Sequence, residues 1–203
     1  MSPKQGTKQG RTSERREALV QIAAELFADQ GYRATTVRHI GDAAGVLSGS
    51  LYHHFDSKET ILDELLSSYL GDLLDTYRAV VADGTTPTRA LGELVRVSFR
   101  SMSEHRAAIT VLQNERGYLR GLPRFDYLTE VEAEVRRIWI TVLRDGVAAG
   151  EFRADLDPLV TYRFLRDSVW VAVRWFRRDG SLSADQLAEH YLSLIFDGLT
   201  QRV

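Results

Sequence analysis

Apolar residues recur at three- and four-residue steps along most of the chain, with no convincing strand-like alternation, so the pattern predicts helices and no sheet. Ser13, Glu14 and Glu17 open a first helix whose Leu19, Ile22, Ala23, Leu26 and Phe27 form one stripe, ended by Gly31. Two short helical patterns follow between Thr35 and Lys58. A long helix from about Ser57 to Ala82 is closed by Asp83-Gly84, Pro87 starts the next, which runs to about Glu104, and His105 to about Arg116 is shorter. Gly117 to Pro123 reads as a loop. Tyr127 to Ala149 is long, amphipathic and stopped by Gly150. Pro158 sits in the first turn of a helix ending near Arg178, and Ser183 with Gln186 forms a capping box for the last one. The expected fold class is all-α, with nine helices.

The segment TTVRHIGDAAGVLSGSLYHHFDSK, Thr35 to Lys58, carries the clearest chemistry. Thr35 or Thr36 offers a hydroxyl cap, and Val37, Ile40, Ala43 and Ala44 share a narrow apolar face. Gly45 suits the left-handed backbone of a helix end, and Val46 and Leu47 are expected to plug into the small core behind it. Ser48 then starts a second helix with Leu51 and Phe55 inward and Gly49, Ser50, Tyr52 and His53 outward. Small residues let this backbone approach base edges, and Tyr and His supply donors for phosphate oxygens, so the arrangement reads as a DNA-binding helix-turn-helix. Asp56 or Ser57 caps the following helix. Lys58 in its first turn is unfavourable for the helix dipole, which makes a phosphate its expected partner. Taken alone, Tyr52 reads better as a core aromatic, and its position in the motif reverses that reading. Adjacent His53 and His54 diverge by about 100° on a helix and do not converge on one metal ion.

The helix from Pro158 is the second informative segment. In YRFLRDSVWVAVRWFRR, Tyr162, Phe164, Leu165, Val169, Trp170, Val171, Val173, Trp175 and Phe176 nearly encircle the axis, as expected of a helix buried on several sides. Arg163, Arg166, Trp170 and Arg174 follow at three- and four-residue steps and line one face. Buried cations need partners, so two readings stand: an Arg-carboxylate network at a subunit interface, or a pocket that grips a large anion with Trp170 against its apolar part. Tyr69, Leu73, Phe99, Met102, Leu112 and Trp139 are candidates for the rest of such a pocket, although amphipathic helices bury such residues as plain core.

Composition narrows the class. A chain of 203 residues with 44% hydrophobic and 27% charged content suits a small domain plus a larger one. The absence of Cys excludes disulfides, thiolate zinc sites and cysteine nucleophiles, and fits a cytoplasmic location. No apolar run is long enough to span a membrane, and MSPKQGTKQGRTSERR lacks the apolar core of a signal peptide, so no membrane partner is expected. The net charge of −2 is uneven: residues 1–58 hold eight basic against six acidic residues, the remainder 18 against 22. Residues 1–12, with no apolar periodicity, read as a disordered basic arm, either a solvated tail or a minor-groove contact. Residues 13–58 are then the DNA-binding domain and 59–203 a ligand-binding and dimerisation domain.

The segment TVRHIGDAAGVLSGSLYHHFDSKETIL resembles the DNA-binding signature of the TetR family of bacterial repressors, in the spacing from Thr36 through Gly45 to Tyr52, Phe55 and Lys58. That resemblance implies that Thr36, Arg38, Tyr52, His53 and Lys58 hold phosphates while Gly49 and Ser50, next to Ser48, lie against bases. Within the family, LSGSLYHHF, LPRFDYL at Leu122 to Leu128 and YRFLRDSVWVAVRWFR resemble the actinobacterial repressors of cholesterol ring C/D catabolism. The similarity implies an indanedione propanoyl-CoA as inducer, whose phosphates need cations and whose rings need an apolar slot. No other cofactor is expected. A single recognition helix reads few base pairs, so a homodimer on a palindromic operator is expected. Leu187, Tyr191, Leu194, Ile195, Gly198 and Leu199 on the last helix offer a face for it, or else close the monomer core. An enzyme is disfavoured, since no P-loop, GxSxG, HExxH or helical ExxH pattern occurs. The remaining alternatives are a non-inducible DNA-architectural or nucleoid-associated TetR-like protein, or a TetR repressor for another hydrophobic ligand.

Overall fold

Polar caps and glycines set the helix boundaries in the computed structural model, which describes residues 6–199, with side chains from 13 to 197. The elements are α1 (Gly6–Gln30), α2 (Val37–Ala43), α3 (Ser48–Leu51), α4 (Lys58–Ala82), α5 (Pro87–Glu104), α6 (Arg106–Leu119), a 3-10 turn (Pro123–Phe125), α7 (Tyr127–Ala148), α8 (Pro158–Ala172) and α9 (Ala184–Leu199). Thr36, Thr86 and Asp157 accept amide hydrogen bonds at the starts of α2, α5 and α8. Ser183 and Gln186 form the reciprocal box before α9, at 3.1 and 2.8 Å. Gly31, Gly45, Gly84 and Gly150, the four glycines that the sequence pattern places at helix ends, all have positive φ.

Three boundaries differ from the pattern. α1 begins at Gly6 rather than Ser13, so seven residues of the expected disordered arm continue the helix; residues 1–5 lie outside the described part. Extending a helix already nucleated by its packed stripe costs far less than starting one. α6 runs through Gly117 to Leu119. α8 stops at Ala172, six residues short of Arg178, because β-branched Val171 and Val173 weaken the helix and a turn there buries Val173 and Phe176 together.

The helices gather into two compact units. One holds the described residues up to Tyr69 with Ala107–Phe125; the other holds Leu70–Arg106 with the residues from Asp126. The helix-turn-helix thus shares its unit with the first half of α4 and with α6, and α4 runs from one unit into the other. Phe27, Tyr32, Ile40, Leu51, Ile61, Leu62 and Leu66 are fully buried in the first unit.

α5 is the centre of the second unit, with Leu91, Leu94, Val95, Phe99 and Met102 buried. Tyr77 and Ser98 hydroxyls meet at 2.7 Å in that core, and Phe99 packs edge-on against Tyr191 of α9. Arg78–Glu134 links α4 to α7 and Arg96–Glu189 links α5 to α9. Tyr69, Phe99, Met102, Leu112 and Trp139 are all buried, as ordinary core residues are.

Candidate nucleic-acid interface and effector face

The helix-turn-helix is built from contacts only a few residues apart. The His39 amide donates to Thr36 Oγ1 at 3.2 Å and the Thr36 amide to His39 Nδ1 at 3.4 Å, a capping box with histidine in its third position. Gly41 is buried where α2 meets the start of α3: a Cβ there would lie 3.0 Å from the Val46 carbonyl oxygen. The Val46 amide closes the turn onto the Gly41 carbonyl at 2.9 Å, after Gly45 at φ +64°. Leu51 and Phe55 face inward, as their spacing predicts.

What remains outside is polar and small. Thr36, Arg38, Gly49, Tyr52 and His53 are exposed, and Ser48 and Ser50 are half-exposed. Arg38 makes only a loose 3.8 Å pair with Asp42 one turn on, so its guanidinium faces solvent.

Lys58, for which a phosphate partner is expected, also has partners within its own unit. Its ammonium donates to the carbonyls of Tyr32 and Thr35, each at 2.7 Å, and lies 4.3 Å from the Tyr32 ring centroid. Burial lowers its pKa below the usual lysine value, against the pull of Glu115 and Glu59. The lysine that looks unfavourable for the α4 dipole is thereby tied to the loop before α2. Ser57, as one of the two expected caps, accepts the Thr60 amide at 3.2 Å.

Arg16 is a residue that composition misassigns. It counts among the eight basic residues of 1–58, yet its Nε lies 2.9 Å from both oxygens of Glu64 on α4. A second nitrogen donates to the His54 carbonyl, and the guanidinium sits 4.1 Å from the Phe55 ring centroid. One side chain of α1 therefore holds the end of the recognition segment against α4. Glu64, 48 residues away, gives no local signal of this.

Leu47 is the second departure. It does not plug into the core: it occupies the N-cap of α3 in extended conformation, makes no side-chain cap bond, and is 84% exposed. Its extended backbone turns the side chain away from Ile40 and Leu51, which fill that core.

On α8 the packed stripe is Tyr162, Leu165 and Ala172. Arg166 is half-exposed; its Nε donates to Asp167 at 2.8 Å and its guanidinium lies 5.6 Å from the Tyr162 ring centroid. Desolvation opposes its charge, but Asp167 and Tyr162 outweigh this and raise its pKa above the ordinary guanidinium value. Behind Tyr162 the rings of Trp139 and Tyr77 continue at 6.3 and 6.0 Å, so Arg166 caps an aromatic column. Burial raises the pKa of Tyr162. Trp170 is half-exposed on the same helix and Arg163 is exposed. Arg174 lies past the end of α8, so the four-residue face continues as helix only to Trp170. A cleft of about 640 Å³ opens elsewhere in this unit, lined by Arg89, Glu93, Arg96 and Phe196 among others, and by none of these four residues.

The expectation that α8 is buried on several sides does not hold within one chain. Phe164 and Val171 are 71 and 51% exposed, because one stripe of the helix packs inside and the other is left uncovered, and Trp175 in the turn after it is 57% exposed. On α9, Leu187, Ala188 and Leu192 turn inward while Leu194 is exposed; Gly198 and Leu199 lie beyond the residues whose side chains are described. Among the described residues no helix is long and apolar enough to cross a membrane, and no three His, Cys, Asp or Glu side chains group as metal ligands.

Known proteins match this architecture over nearly its whole length. The family model described as "Bacterial regulatory proteins, tetR family" matches residues 19–65, and "Tetracyclin repressor-like, C-terminal domain" matches residues 84–199. The chain is 50% identical over 187 residues to the HTH-type transcriptional repressor KstR2 of Rhodococcus jostii, covering 92% of each chain. It is 44% identical over 192 residues to KstR2 of Mycobacterium tuberculosis, covering 95% of this chain and 96% of that one. The solved structure of the ketosteroid transcriptional regulator KstR2 of Mycobacterium tuberculosis superposes with a TM-score of 0.90, covering 93% of this chain and 96% of that one. Helix-turn-helix, helical C-terminal unit and these homologies agree: the chain belongs to the TetR family of DNA-binding transcriptional regulators, is not an enzyme, and is homologous to the actinobacterial KstR2 repressors.

Proposed function

We propose that this chain is a homodimeric repressor of steroid-degradation genes that releases a palindromic operator when a CoA thioester of an indanedione propanoate binds. The observation that carries the reading is the homology to repressors named KstR2 across more than nine-tenths of both chains, one of whose structures is described as a ketosteroid regulator. A regulator of this kind works in the cytoplasm, where its DNA lies.

In this reading Gly49 and Ser50 lie against bases, while Thr36, Arg38, Ser48, Tyr52 and His53 hold phosphates and set the register. Lys58 keeps two of its three ammonium donors on Tyr32 and Thr35 and serves mainly to hold α4 against the helix-turn-helix. The exposed stripe of Phe164, Val171 and Trp175, with Leu194, is covered by a second copy. Arg166, with Arg163 and Arg174 nearby in sequence, supplies cations for the phosphates or carbonyl oxygens of the thioester, and Trp170 packs against its apolar part.

Coupling is carried by α4, which enters both units and is tied to the DNA-binding segment by Lys58 and by the Arg16–Glu64 pair. A tenfold loss of operator affinity needs about 1.4 kcal/mol of differential ligand binding, and by linkage DNA weakens the ligand equally. Titration calorimetry tests the ligand assignment: the thioester is expected to bind tighter than free CoA or the free acid. Equal affinity for free CoA and the thioester would remove the steroid from the reading.

A further inference from the structure

The most exposed large apolar side chain among the described residues is Leu47, and it stands at the start of the recognition helix. Resting on the DNA-binding reading of that helix, we infer that Leu47 reads a thymine: its isobutyl group lies against the 5-methyl group of one thymine in each operator half-site.

Three observations converge on that contact. An N-cap favours Ser, Thr, Asp or Asn, whose oxygen accepts a helix amide, and leucine offers none; the position gives up local stabilisation of α3. The side chain is not needed for the fold, since Ile40, Leu51 and Phe55 fill the helix-turn-helix core without it. It is 84% exposed and the three residues after it, Ser48, Gly49 and Ser50, are small, which leaves room for a base edge beside it. Recognition helices present their N-terminal residues to base edges in the major groove. The apolar group that those edges offer there is the thymine methyl. Arg38, Tyr52 and His53 are polar and suit phosphate and base acceptors, which leaves Leu47 as the apolar reader of this surface.

Sites selected from a random duplex library by the full-length protein supply the probe. In the selected duplex each thymine is replaced in turn by deoxyuridine, which removes only the methyl group. One thymine per half-site is expected to matter, with wild-type affinity falling about fourfold for one replacement and about 15-fold for both. Leu47→Ala and Leu47→Ser are expected to bind the thymine and uracil duplexes alike, and Leu47→Ser to melt no lower than wild type. Indifference of the wild type at every thymine, or unchanged discrimination in Leu47→Ala, overturns the inference while leaving the DNA reading intact. If the wild type selects no sequence at all, the DNA reading itself fails and the inference with it.

Discussion

In the helix-turn-helix, Ile40, Leu51 and Phe55 are enclosed by neighbours from their own unit, and the caps and turn bonds close within a few residues. Along α8 and the turn that follows it the opposite holds: Tyr162 and Leu165 are packed, while Phe164, Val171 and Trp175 face outward and Arg166 pairs with the adjacent Asp167 and lies over the ring of Tyr162. The first region is completed by its own chain. The second is left open by its own chain, and the proposed function completes it from outside, with a second copy over its apolar stripe and an effector at its cations. A surface that must read DNA has to be rigid before it binds, whereas a surface that sets the response can leave part of its burial to the partner.

The contrast can be broken most severely at Phe55. Phe55→Ala removes a buried ring from the helix-turn-helix core and is expected to cost about 3 to 5 kcal/mol, read as a lower melting temperature with loss of operator binding. In the turn after α8 the expectation is reversed. Trp175→Ala is expected to weaken the dimer by about 2 to 4 kcal/mol in sedimentation equilibrium, with little change in far-ultraviolet circular dichroism. An unchanged dimer would mean that this stripe is not the interface.

Arg16→Gln comes next, at about 1.5 to 3 kcal/mol, because it strips charge-assisted bonds from Glu64 and the His54 carbonyl. The loss is expected in operator affinity, while thioester affinity measured without DNA stays within twofold of wild type. The smallest effect is expected at Arg166. Arg166→Ala should weaken the thioester about tenfold, as for one lost charged contact, and leave operator binding by the ligand-free protein intact. Loss of both together would point to a structural network instead.

How much of this could be read from sequence follows from the range of the interactions. Gly31, Gly45, Gly84 and Gly150 end helices through their own backbone, and Thr36 and the Ser183–Gln186 box act within three residues, so each is visible locally. Leu51 and Phe55 follow from helical spacing. The ties made by Arg16 and Lys58 are not legible in the same way, because their partners lie 48 and more than 20 residues away. Leu47 misled because an apolar residue after a turn glycine reads as a plug, and only its extended backbone turns it outward. The end of α8 depended on burying Val173 and Phe176 together, a tertiary demand that helical periodicity does not carry. Nor does periodicity tell a stripe that packs inside its own chain from one left for a second copy.

Fluorescence anisotropy of a labelled operator duplex, titrated with the full-length protein with and without saturating indanedione propanoyl-CoA, tests ligand-gated repression most directly. The thioester is expected to weaken the operator complex at least tenfold while free CoA leaves it unchanged. Equal operator affinity with and without the thioester would contradict ligand-gated release.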